Sequence, residues 1–88
     1  MYKEDIYNIV GKNIKKYRKK NGMTQRQLAE KLLLSESFIS KLESTTHQTI
    51  SLDTIEQISE VLNVDIKDLF NRESVLVFII KFFSFICI

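Results

Sequence analysis

Eighty-eight residues suffice for one domain and no more. A chain this short buries only a modest share of its surface, so dimerisation or a bound partner is expected. With no proline and only two glycines the composition favours helices and short connections over a sheet protein, and a lone Cys87 and a lone His47 exclude an intrachain disulfide or a zinc site of ordinary spacing.

The net charge of +2 is unevenly placed: residues 1–43 carry ten Lys/Arg against five Asp/Glu, and residues 44–88 carry three against six. That division suits a molecule presenting one face to a polyanion, and equally suits a solvated, lysine-rich helix face. The opening Met1 to Asp5 is acidic and holds no apolar run, so no secretory signal is expected and the cytoplasm is the expected compartment.

In chain order, Ile6, Ile9, Val10, Ile14 and Tyr17 recur at offsets of three and four and predict an amphipathic helix over 5–20. Its polar face holds Lys12, Lys15, Lys16, Lys19 and Lys20, crowded toward the end where the helix dipole favours cations. Asn21 and Gly22 stop it, Gly22 suiting a left-handed position. Thr24 with Gln27 forms a capping box for a second helix with Leu28, Ala29 and Leu32 inside. Only Leu33 and Leu34 separate this from Ser35, the cap of a third helix with Ile39 and Leu42 inward. The stretch 44–49 reads as a loop. Ser51 or Asp53 opens a fourth helix with Leu52, Ile55, Ile58 and Leu62 expected inside, and Asp65 caps a short fifth bearing Ile66, Leu69 and Phe70. The expected fold is all-α, with a five-helix domain over 5–72 and an apolar tail over 73–88.

Two short helices joined by two residues, the second opened by serine, have the geometry of a helix-turn-helix; a generic small helical bundle is the other reading of that spacing. The residues themselves go further. Val10 and Gly11, Ile14, Arg18, Gly22 to Gln25, Leu28 to Glu30, Leu34 and Ser35, Phe38 to Ser40, Leu42 and Glu43, Ile50 to Leu52, Ile55 and Glu56, Leu62 to Val64, and Leu69 and Phe70 resemble the Cro/repressor-type (XRE-like) helix-turn-helix regulators.

The resemblance runs from about residue 9 to 71 and implies a lambda-repressor-like domain whose second and third helices read duplex DNA. It implies that Gln25 grips a backbone phosphate and that Glu36, Ser37 and Lys41 face base edges, with Ser40 beside them. The chemistry agrees, since lysine donates to guanine, glutamate accepts from cytosine and serine is permissive. Each is also an ordinary exposed polar residue in the absence of DNA. The resemblance further implies an ion pair between Arg18 and Glu43, joining the first helix to the end of the third, and a dimer contact on the fifth helix at Ile66, Leu69 and Phe70.

Two departures from the family pattern stand out. Leu33 occupies a turn that often carries glycine, and a left-handed leucine costs roughly 1 kcal/mol or more, so a rearranged turn is expected. The loop after Glu43 lacks the usual basic residue, leaving hydroxyls such as Thr45, together with His47, as phosphate donors. An ordinary loop histidine is the plainer reading of His47.

Residues 75–88 are apolar apart from Lys81 and Ser84. As a helix they would span roughly 21 Å, short of the ~30 Å hydrocarbon core, so membrane spanning is not expected. A dimerisation element, a cryptic or frameshifted end and a membrane-associating tail remain as readings. The expected function is a sequence-specific double-stranded-DNA-binding regulator, a repressor acting as a homodimer on a two-fold symmetric operator, without cofactor or metal. An antitoxin or other protein-interaction module with autoregulatory DNA binding, holding a toxin or other protein partner, is the alternative. No enzyme is expected: there is no usable His/Cys set, no glycine-rich phosphate loop and no paired carboxylates, nor is a small-molecule substrate evident.

Overall fold

Side-chain caps start each of the first four helices in a computed structural model of the chain, which describes residues 5–44 and 48–72. Asp5 accepts from the Tyr7 N–H at 2.7 Å and opens α1, Ile6–Lys20. Thr24 accepts from the Gln27 N–H at 3.0 Å while the Gln27 amide oxygen accepts from the Thr24 N–H at 2.8 Å, a closed capping box that opens α2, Gln25–Leu32. Ser35 caps α3, Glu36–Glu43, through the Phe38 N–H, and Ser51 rather than Asp53 caps α4, Leu52–Leu62, through the Thr54 N–H. The short α5, Ile66–Leu69, follows Asp65. The described residues hold five helices and no strand.

One core gathers a stripe from every helix: Val10 and Ile14, then Leu28, Ala29 and Leu32, Ile39 and Leu42, Ile55, Ile58 and Leu62, and Leu69. Ile14, Leu28, Ile39 and Ile58 are fully buried, so truncating any of them to alanine costs about 2–5 kcal/mol. Helix α3 packs on both α1 and α2, while α4 and α5 close the opposite side against α1, α2 and each other. Asn13 ties the ends together: its buried amide donates to the carbonyls of Leu69 at 2.8 Å and Asn71 at 2.9 Å.

Three sequence expectations are corrected. Leu52, expected inside, is 70% exposed. It is the first residue of α4, and its Cβ tilts back toward the helix N-terminus, away from the helices that cover Ile55 and Ile58. Leu69, expected at a dimer contact, is fully buried and belongs to the core; Ile66 at 40% exposure and half-buried Phe70 are what α5 offers a partner.

Leu33 supplies the third. The turn is not rearranged, for Leu33 adopts the left-handed conformation, φ 58° and ψ 38°. Its N–H donates to the Glu30 carbonyl and that of Leu34 to the Ala29 carbonyl at 2.9 Å, satisfying the end of α2. Leu34 is thereby turned onto the core and Ser35 delivered to its capping position. Together these bonds outweigh the steric penalty at one residue, whose side chain stays in water at 92% exposure.

Candidate nucleic-acid interface

The eight residues of α3 divide cleanly by face. Ile39, Leu42 and Glu43 are buried, whereas Glu36, Ser37, Ser40 and Lys41 are exposed. Glu36 and Ser37 stand in the first turn, with Ser40 and Lys41 four residues on, so the four line the outer side of a rod roughly 12 Å long. Such a rod fits the width of a DNA major groove. The side chains offer an ammonium donor at Lys41, a carboxylate acceptor at Glu36 and two hydroxyls. On α2, Arg26 and Glu30 approach to 3.5 Å at 76% and 69% side-chain exposure, a pair worth little in water.

The inner side of α3 is locked to α1 by two residues on one stripe of that helix, seven positions apart. Nε of Arg18 donates to Oε2 of Glu43 at 2.6 Å, and its Nη2 to Oε1 at 2.9 Å. Nη1 reaches the Met23 carbonyl at 2.7 Å, holding the approach to α2 as well. Both partners are buried, and every buried polar side-chain atom among the described residues has a hydrogen-bond partner. Breaking such a pair strands a charge, although the intact pair need not add net stability.

Two turns earlier, Gly11 lies against the end of α3 so closely that a Cβ there would sit 1.8 Å from the Leu42 carbonyl oxygen. Only glycine permits that approach. Sequence reading passed over this role, yet a glycine inside an otherwise regular helix, at a cost of about 1 kcal/mol relative to alanine, was an available sign of close packing.

Gln25 stands half-buried at the start of α2, and its Nε2 donates to Oε1 of Glu43 at 3.0 Å. This contact was not expected from sequence. The Glu43 carboxylate thus joins α1, α2 and α3 at one point. Thr45 and His47 lie outside the described residues. Among the described residues no group of three or more His, Cys, Asp or Glu is placed to hold a metal, and no helix is long and apolar enough to cross a membrane.

A two-residue turn, an outward polar helix and a buried clamp behind it define a helix-turn-helix unit, and residues 14–69 match the family model described as helix-turn-helix. The chain belongs to the Cro/repressor-type helix-turn-helix family of transcriptional regulators. It is similar to the HTH-type transcriptional regulator SinR of Bacillus licheniformis, 34% identical over 65 residues that cover 74% of this chain and 59% of SinR. It also resembles the control protein C.BamHI of Bacillus amyloliquefaciens, 38% identical over 66 residues covering 74% of this chain and 80% of that protein. A crystal structure of SinR, the master regulator for biofilm formation, in complex with DNA superposes with a TM-score of 0.66 at 34% identity, over 70% of this chain and 98% of that one. The chain accordingly spans only about 59% of the length of SinR itself.

Proposed function

We propose that this chain is a sequence-specific double-stranded-DNA-binding regulator that acts without a cofactor or an enzymatic activity of its own. It represses by occupying a two-fold symmetric operator as a homodimer in the cytoplasm. Helix α3 enters the major groove with Glu36, Ser37 and Lys41 toward base edges and Ser40 beside them. Gln25 holds a phosphate at the rim, supported by Thr45 and His47 from the loop that follows α3. The observation that carries this reading is the division of α3: its outer face is wholly polar and exposed while its inner face is clamped by Arg18, Glu43 and Gly11. A similar domain solved on DNA supports it.

Selection of random duplexes with the purified protein, followed by sequencing, tests the proposal. A symmetric consensus is expected. Lys41→Ala should relax the preference at one base pair per half-site by roughly 1–3 kcal/mol. An unchanged preference would remove Lys41 from the reading set, and no enrichment with the wild type would reject sequence-specific binding altogether.

A further inference from the structure

We infer that Glu43 is a positioning residue for Gln25: it presets the amide that grips the phosphate and fixes its register relative to the reading helix. The inference rests on the DNA-binding role proposed above. It starts from the hydrogen-bond chemistry of the two side chains.

An ionised carboxylate only accepts, so of the two ends of the Gln25 amide only Nε2 can face Glu43, as it does at 3.0 Å. An untethered surface glutamine turns freely and presents its oxygen to a phosphate, which is repulsive, as readily as its nitrogen. With Nε2 held, one hydrogen is committed to Glu43 and the second is left as a donor, while the side-chain entropy of ordering the amide is lost on folding rather than on binding.

The negative charge of Glu43 beside a phosphate site would ordinarily oppose DNA. Here Arg18 neutralises it through two hydrogen bonds, and both groups are withdrawn from the surface, their side chains 8% and 2% exposed. The same guanidinium fixes the Met23 carbonyl two residues before Gln25, so the backbone and the amide at the start of α2 are set by one cluster. Because Glu43 is the last residue of α3, a phosphate held by Gln25 stands at a fixed distance from Glu36, Ser37 and Lys41 in the groove.

The test uses the full chain and a short random-sequence duplex, where phosphate contacts dominate. In side-chain amide NMR of the free protein, the Gln25 Nε2 group is expected to be as rigid as the backbone, while exposed Gln57 serves as the mobile internal control. On adding duplex, one Gln25 Nε2 hydrogen should shift strongly and the other, held by Glu43, little. In anisotropy titrations Gln25→Ala should weaken binding about fivefold to tenfold. Glu43→Gln should weaken it comparably in the wild-type background and by no more than about twofold in the Gln25→Ala background. A Gln25 amide as mobile as that of Gln57, or equal losses from Glu43→Gln in both backgrounds, overturns the positioning role while leaving DNA binding intact. If Glu43→Gln does not fold, the wild-type NMR arms decide alone. Absence of duplex binding by the wild type rejects the functional reading, and the positioning role falls with it.

Discussion

Arg18 and Gly11 act on α3 from one side of α1, the first by attraction and the second by leaving room. Replacing Arg18 with methionine keeps the bulk but leaves the Glu43 carboxylate buried without its cation, and the Met23 carbonyl without its donor. A loss of about 3–5 kcal/mol is expected, together with weaker DNA binding. Chemical denaturation and duplex titration of Arg18→Met measure the two effects; wild-type stability would show that the pair contributes nothing. At Gly11 the opposing contributions differ in size. Alanine would raise helix propensity by about 1 kcal/mol, but its methyl would overlap the Leu42 carbonyl at 1.8 Å. The backbone of α3 must then move, so Gly11→Ala is expected to be destabilising by about 1–3 kcal/mol net of that gain. A denaturation midpoint at or above wild type would show that α1 and α3 separate freely.

At the scale of elements, one connector is used three times. Gly22, Leu33 and Asn63 are all left-handed, at φ 70°, 58° and 57°. Each donates its N–H three residues back, and the next residue donates five back: Met23 to Arg18, Leu34 to Ala29, Val64 to Ser59. Those following residues, Met23, Leu34 and Val64, all pack on the core. Each is followed in turn by the N-cap of the next helix: Thr24, Ser35 or Asp65. Leucine is the worst fit of the three at such a position. Leu33→Gly removes a steric penalty of about 1–2 kcal/mol and returns part of it as backbone entropy, so a net stabilisation of about 0.5–1 kcal/mol is expected. A thermal melt of that variant checks it, and a lower midpoint would mean that exposed Leu33 carries a contact worth more than its strain.

This connector also explains what was legible in the sequence. Helix number, the caps at Thr24 and Ser35 and the stripes Leu28, Ala29, Leu32 and Ile39, Leu42 followed from local chemistry and period, which operate within a few residues. The left-handed Leu33 did not, because its penalty is local and its compensation lies in the bonds and packing around it. Leu52 obeyed the period and was still misplaced, since periodicity gives a face and not where neighbouring helices end. Arg18 and Glu43 were paired through family resemblance; the Gln25 contact, 18 residues from its partner, and Asn13, 56 and 58 residues from the carbonyls it holds, had no local signature.

For the whole molecule, the open question is how two copies meet. With Leu69 committed to the core, α5 presents Ile66 and half-buried Phe70, a small apolar patch beside the chain where Asn13 holds it at Leu69 and Asn71. A patch that small falls short of a stable interface by itself. We expect residues 73–88, which lie outside the described residues, to extend it. Ending the chain at Ser74 should then weaken the dimer and lower operator affinity, as read by sedimentation equilibrium on both lengths without detergent. A truncated chain that dimerises as tightly as the full one would confine the contact to residues 5–72 and leave the tail as a cryptic end.

Gly11 has a consequence for the regulator in a living cell. It makes no contact with α3 through a side chain, yet the bare backbone at that point is what lets Glu43 come within reach of Arg18. Stability in so small a domain is slight, and the fraction folded falls steeply as heat approaches the midpoint. An alanine at 11 is therefore expected to act as a thermal switch: a strain carrying it would keep its target genes silent in the cold and release them on warming, with every DNA-facing residue unchanged.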